Sequence, residues 1–357
     1  MPSKVFQSVI LQIKDATDRV VGVADEEGIV LACTSLGEIG RMHAGIPDEL
    51  SDHQVFVKSG FTYKLLPGAQ SDYVAFVEGE NEIAAATCQM AAVALSGAKS
   101  YYDEKHDKMV LIKKILTDNI LPGDIYAHAR ELNFDNEIQR AVLLIHQVGS
   151  GDTTVLDVLQ SLFPSGKNDF VISINESDVA LVKEVTDDTD PDDLIKLAAA
   201  ISETINTDLY IKTIIGIGTV VTNIKDLASS YKEAQTAIDV GQVFEPEKHI
   251  IHYETLGIGR LIYQLPITMC EMFLSEVFKK NTIESLDQET LFTILKFFEN
   301  NLNVSETSRK LFVHRNTLVY RIEKIKKLTG LDLREFDHAI IFKVALMVRQ
   351  YLSTQGV

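Results

Sequence analysis

Val304-Ser-Glu-Thr-Ser-Arg-Lys-Leu-Phe-Val-His-Arg-Asn-Thr-Leu-Val-Tyr-Arg-Ile-Glu-Lys-Ile-Lys-Lys-Leu328 divides into two short helices. The Ser305 hydroxyl can accept an orphan N–H of the first turn, which makes Ser305 the expected N-cap. Val304, Ser308 and Leu311 recur at helical spacing, and Phe312-Val313-His314 breaks the period. A second helix is expected from about Arg315, with Leu318, Ile322 and Ile325 on one face. Its opposite face carries Asn316, Tyr320, Lys324 and Lys327, with Arg315 and Arg321 close by. A small residue at 308, a three-residue turn and apolar positions 318 and 322 are the layout of a helix-turn-helix. The small side chain lets the helices cross closely, and the second helix is left able to enter a major groove.

The charge distribution agrees. From residue 303 to the end there are ten Lys and Arg against five Asp and Glu, a net of +5 on a chain of −17, so residues 1–302 carry −22. A basic island on an acidic protein is the electrostatic footprint of DNA binding. The plainer alternative is a solvated amphipathic helix pair.

Leu311-Phe-Val-His-Arg-Asn-Thr-Leu-Val-Tyr-Arg-Ile322, followed by Leu328-Thr-Gly-Leu-Asp332, resembles the C-terminal helix-turn-helix of the PucR and carbohydrate diacid regulator (CdaR) family of bacterial transcription factors. It is also similar to the helix-turn-helix of the factor for inversion stimulation. The resemblance implies that the second helix is the recognition helix. Arg315 and Asn316 would reach base edges, Arg for guanine and Asn for adenine. Thr317, Tyr320, Arg321 and Lys324 would hold phosphates or the groove wall, with Ser305 and Lys327 completing the DNA-facing set. For Arg321 the alternative is a pairing with Glu323 or an internal carboxylate.

At 357 residues two to four domains are expected. No apolar run reaches membrane-spanning length; the nearest, Ile83 to Ala98, is short and contains Gln89. Met-Pro-Ser-Lys at the start lacks the apolar segment of a secretory signal. Cys33, Cys88 and Cys270 are far apart in apolar sequence and read as reduced core residues of a cytoplasmic protein. With no Cys-x-x-Cys, no His-x-x-x-His cluster and no P-loop, neither a metal nor a cofactor is expected.

At the N-terminus, residues 4–19 have helical spacing. Val20 to Cys33 then reads as strand, turn at Gly28, strand. Thr34-Ser-Leu-Gly-Glu-Ile-Gly-Arg-Met-His-Ala-Gly-Ile46 resembles the sugar-diacid recognition domain of the same regulators, with Ile39-Gly40, His43 and Gly45 matching. Glu38 departs from the Arg that the family tends to place there, and would repel a dicarboxylate unless Arg41 compensates. From the residues themselves, Gly37, Gly40 and Gly45 could turn backbone N–H groups toward a small anion, with Thr34, Ser35, Arg41 and His43 as donors. A Gly-rich loop capping a sheet is the alternative. Strands follow at Val55–Val57, Phe61–Leu66 and Tyr73–Val77. A long helix from about Ile83 to Ile120 carries a stripe of Tyr101, Lys105, Met109, Ile112, Ile115 and Leu116, suited to a dimer seam or to packing on its own sheet. Leu121-Pro122-Gly123 is expected to end it.

Strand–helix–hairpin–helix–strand–helix from Arg140 to Gln242 is the order of a nucleotide-cyclase-like fold. Ile215-Gly-Ile-Gly-Thr219 with Ser230 to Ile238 resembles the GGDEF-like middle domain of the same family. The hairpin reads Asn175-Glu-Ser-Asp178, without the paired glycines that admit a nucleotide, so no cyclase activity is expected. Glu176 and Asp178 read as turn acids, and Gly216-x-Gly218 lacks the rest of a dinucleotide fingerprint. Asp187 to Asp193 reads as a solvated acidic loop rather than a cation site.

The expected architecture is therefore a multidomain α+β and α/β chain: a sensor at 1–100, a helical linker at 101–135, a catalytically degenerate GGDEF-like domain at 136–250, a helical lead-in at 251–302 and an all-α helix-turn-helix domain at 303–357. The expected function is ligand-responsive transcriptional regulation, probed by a small organic acid and exerted on a double-stranded DNA operator by a homodimer. The alternative is a nucleotide or second-messenger receptor acting through the middle domain.

Overall fold

The computed structural model describes residues 2–46, 55–67, 72–149, 155–163, 168–278 and 286–356. The chain divides into two compact units, 1–112 with 126–134, and 113–125 with 135–357.

In the first unit α1 (Pro2–Lys14) precedes β1 (Val21–Asp25) and β2 (Val30–Cys33), then β3 (Phe56–Lys58), β4 (Phe61–Leu65), β5 (Tyr73–Glu78) and α2 (Glu82–Leu116). The five strands pair antiparallel in the order β2-β1-β5-β4-β3. Side chains alternate across the sheet. Val21, Val23, Ala75 and Val77 meet Phe6 and Ile10 of α1 and Ala84, Cys88, Ala91 and Leu95 of α2. Val74 and Phe76 point the other way, into a second cluster with Val30, Cys33, Ile46, Tyr63 and Leu65. That second face is the one segment 34–46 covers.

Helix α2 ends at Leu116, earlier than the sequence indicated, and Pro122 does not stop it. Asp118 takes the left-handed C′ position at φ +54°, and Pro122 opens the next helix, α3 (Pro122–Glu131). Proline suits a first helical position, where its missing N–H has no partner to lose. Of the stripe expected on α2, Ile112, Ile115 and Leu116 are buried, but Tyr101 is exposed.

In the second unit β6 (Arg140–Val148), α4 (Val155–Leu162), β7 (Phe170–Ser173), β8 (Asp178–Glu184), α5 (Pro191–Leu209), β9 (Lys212–Ile217), α6 (Leu227–Phe244) and β10 (Ile250–His252) form the expected cyclase-like order plus one edge strand. The sheet order is β10-β9-β6-β8-β7, with β10 parallel to β9 and the other pairs antiparallel. Three residues long, β10 straddles the boundary expected at 250/251 between the middle domain and the helical lead-in. Helices α4 and α5 pack against Leu143, Ile145, Leu181, Ile215 and Ile217. The acidic run before α5 is a helix start: Asp190 and Asp193 make a reciprocal capping box around Pro191.

The chain continues through α7 (Gly259–Tyr263), α8 (Ile267–Val277), α9 (Gln288–Glu299), α10 (Val304–Lys310), α11 (Arg315–Thr329) and α12 (Phe336–Thr354). Phe278, Ile294, Phe297, Leu318, Ile322, Ile325 and Phe342 share one core. The buried face of α9 is Thr290, Thr293, Ile294 and Phe297, with Leu295 exposed. The far end of α12 packs Val348 and Leu352 with Val243, Ile262 and Cys270. Cys33, Cys88 and Cys270 are all buried and free.

Candidate nucleic-acid interface

Helix α10 starts two residues earlier than the sequence expectation. Asn303 is its N-cap, the side-chain oxygen accepting from Glu306 N at 3.0 Å, and Ser305 lies inside the first turn, exposed. Asn is as good a cap as Ser, and it also closes the preceding turn, donating its N–H to Asn300 O at 3.0 Å. Ser308 is buried where α10 crosses α11, as its small size requires.

Helix α11 is capped by His314, whose Nδ1 accepts from Asn316 N at 3.2 Å. An accepting Nδ1 carries no proton, so the ring proton sits on Nε2. Leu318, Ile322 and Ile325 are buried, and Gly330 closes the helix at φ +81°. Arg315, Asn316, Thr317, Tyr320 and Lys327 are exposed. Among the described residues none of their side chains makes a hydrogen bond or ion pair.

Two of the residues expected to face DNA are occupied otherwise. Arg321 bonds the Glu289 carboxylate and the Thr293 hydroxyl of α9, so the internal-carboxylate alternative describes it. Lys324 meets Asp287 at 2.7 Å. Asp287 is also the N-cap of α9, accepting from Thr290 N at 2.7 Å. The physical reason is placement: i and i+3 share a helix face, and 321 and 324 lie on the flank that abuts the start of α9. Sequence spacing shows that flank but not what packs there.

Behind the helix, buried Asp332 accepts from Arg334 Nε at 2.8 Å and from Lys326 at 3.0 Å. Arg334 reaches Glu323 as well. Arg334 chiefly holds the Asp332 carboxyl well below the usual range, and Lys324 chiefly does the same for Asp287. A depressed folded-state value means that the unfolded chain binds more protons, so stability rises with pH through that range. The contribution is complete above about pH 5, where a free Asp has ionised, and is lost as pH falls below that. Circular dichroism at 222 nm is expected to show helix loss steepening below about pH 4, with Asp332→Asn already weakened at neutral pH and flatter in acid.

Segment 34–46 differs from the anion cradle expected of it. Thr34 Oγ accepts from Val21 N at 3.0 Å, and Ser35 N donates to Cys33 Sγ. The N–H groups of Glu38, Gly40, Arg41 and His43 donate to Ser35, Val30, Glu38 and Gly28 carbonyls, at 2.9–3.1 Å. Through Gly40 and His43 the loop zips against β2 and the β1–β2 turn, while Glu38 and Arg41 bond back within the loop itself. Gly28 permits it, since a Cβ there would lie 2.6 Å from His43 O. His43 and Arg41 do converge, on Glu38. Arg41 pairs with it at 2.7 Å, and His43 Nε2 lies 4.0 Å away. His43 Nδ1 lies 2.9 Å from the buried Tyr63 hydroxyl. Burial lowers the His43 value, against the pull of Glu38, and pushes Tyr63 up to about 12.

At the hairpin between β7 and β8, Asn175 Oδ1 accepts from Ser177 N and Asp178 N. Asp178 is taken up by His146 Nδ1 at 2.8 Å and by Asn175 Nδ2 at 2.7 Å. It is a turn acid, as its sequence context indicated.

A basic, exposed second helix on a cyclase-like body defines a helix-turn-helix DNA-binding regulator. Residues 290–348 match the PucR C-terminal helix-turn-helix domain, and residues 117–240 match the GGDEF-like domain. The chain is 23% identical over 380 residues to the carbohydrate diacid regulator of Escherichia coli (strain K12), covering 98% of each. It is 28% identical over 144 residues to the purine catabolism regulatory protein of Bacillus subtilis (strain 168), 39% of this chain and 26% of that one. It is 33% identical over 138 residues to the proline-responsive transcriptional activator PutR of the same organism, 37% and 32% of the two chains. The chain thus carries the two domain types of PucR and carbohydrate diacid regulators and is similar to one of them over nearly its whole length. No helix among the described residues is long and apolar enough to cross a membrane.

Proposed function

We propose that this DNA-binding regulator is a cytoplasmic homodimer that reads an operator with α11 and responds to a small organic acid held near residues 34–45, activating nearby catabolic genes. The observation that carries the reading is the unpaired set Arg315, Asn316, Tyr320 and Lys327 on the exposed face of a basic domain. A single helix-turn-helix makes few base contacts, so two copies on two half-sites are expected. The acid acts only if it binds one arrangement of the chain better than another. The middle domain serves without turnover, its hairpin acid already bonded. The test is a titration of the full chain against its own upstream region across a salt series, with and without candidate acids. Specific, salt-sensitive binding shifted by one acid supports the proposal; binding indifferent to sequence sinks it.

Glu38 sets which acid. Its charge neutralises Arg41 and approaches His43, so a dicarboxylate meets repulsion where the family's Arg would attract. Removing one charge at about 4 Å changes the interaction by ~1 kcal/mol in water and more when partly buried. Glu38→Ala is therefore expected to tighten binding of a sugar diacid roughly tenfold, read by isothermal titration against a mono-acid control. An unchanged diacid affinity counts against this site.

A further inference from the structure

Phe312 is not explained by packing. Its side chain is 96% exposed, more than any other large apolar residue described. Its backbone sits at φ +54°, where a bulky side chain is strained. It is the C′ residue of α10: its N–H donates to Arg309 O at 3.2 Å and the Val313 N–H to Ser308 O at 3.1 Å. That pair of bonds closes a Schellman motif, where glycine is the usual occupant. A glycine would remove the strain and hide no less surface.

Tyr210 offers a comparison within the same chain. It ends α5 at φ +58° and is 89% exposed, but its ring carries a hydroxyl and Asp208 stands two residues before it. Phe312 has a different setting. Arg309 and Lys310 come just before it and Arg315 opens the next helix three residues on, all exposed. An apolar ring bracketed by cations suits a duplex, where phosphates flank sugar faces and thymine methyls. A solvated ring with no hydroxyl, held in a strained conformation, is otherwise a cost without return.

We propose that Phe312 is a DNA-contacting residue, its ring laid on a sugar or a thymine methyl at the edge of the groove that α11 enters. The inference rests on α11 being the recognition helix. It adds an apolar contact at the turn, outside that helix.

The test uses the full chain and the tightest duplex that wild type selects from a random pool. Phe312→Gly and Phe312→Asn both accept the left-handed conformation. Each is expected to hold or raise Tm while weakening binding about fivefold to tenfold. The slope of log K against log salt stays as in wild type, because no charge is removed. Phe312→Tyr keeps near wild-type affinity, and Tyr210→Gly leaves affinity unchanged. Wild-type affinity in both Phe312→Gly and Phe312→Asn overturns the proposal, including the case where the ring instead serves a protein partner. A fall in Tm that accounts for the weaker binding overturns it too. Arg315→Ala with Asn316→Ala separates the two failures. If that variant loses specific binding and Phe312→Gly does not, only the Phe312 contact fails; if neither loses it, the recognition-helix assignment fails with it.

Discussion

Replacing Arg315 and Asn316 together by alanine is expected to lower affinity for the selected duplex about thirtyfold or more, with Tm at the wild-type value. A well-placed bidentate pair contributes about 1–3 kcal/mol of base discrimination, so two remove roughly 2–6 kcal/mol, thirtyfold or more. The fold should not notice. Both side chains are exposed and make no hydrogen bond or ion pair among the described residues, so truncation orphans nothing. The cap of α11 survives as well, because His314 Nδ1 accepts from the backbone N–H of residue 316. Affinity for a scrambled duplex, carried by phosphate contacts, should fall far less. Equal losses on both duplexes would mean that the two residues read charge and not sequence.

Residues that carry a periodic pattern were legible. Leu318, Ile322 and Ile325 at helical spacing gave the buried face of α11, and Ser308 the close crossing. What the pattern hid was partnership across the fold. Glu289 and Asp287 lie more than thirty residues from Arg321 and Lys324, so only tertiary packing shows that these two cations are bonded within the protein. The N-cap was displaced because two good capping residues, Asn303 and Ser305, sit two apart, and the turn after α9 selects the first. The loop at 34–46 was read as donors because its glycines and polar side chains are visible in sequence. Two of the carbonyls that take its amides, Val30 O and Gly28 O, belong to β2 and the turn before it, and that register is set by the sheet.

Gly216→Ala is expected to destabilise the second unit by about 3 kcal/mol, at the upper end of overpacking costs. A Cβ at 216 would lie 2.0 Å from Ala234 O and 2.9 Å from Ile238 Cγ1. The first is helix backbone and cannot rotate away, so α6 itself must lift from β9. Several bonds oppose that. Ser230 Oγ donates to Thr219 O at 2.8 Å and accepts from Val142 N at 3.1 Å, and Glu233 accepts from Thr219 N at 2.9 Å. On its far side α6 is tied to α12, where Gln350 Nε2 donates to Val243 O at 2.7 Å. Gly218 faces the same helix, 2.0 Å from Ser230 O by the same construction, so the double variant should fare worse. For a unit of this size the single change should lower Tm by about 10 °C, read by calorimetry on the full chain; a fall under about 3 °C would contradict the close helix–sheet approach. The outcome also decides what Gly-x-Gly means in this chain. A phosphate-binding loop that gains a methyl loses its ligand and keeps its fold. A glycine pair that seats a helix on a sheet loses the fold, and α12, which rests on that helix and packs behind the recognition helix, loses its footing with it.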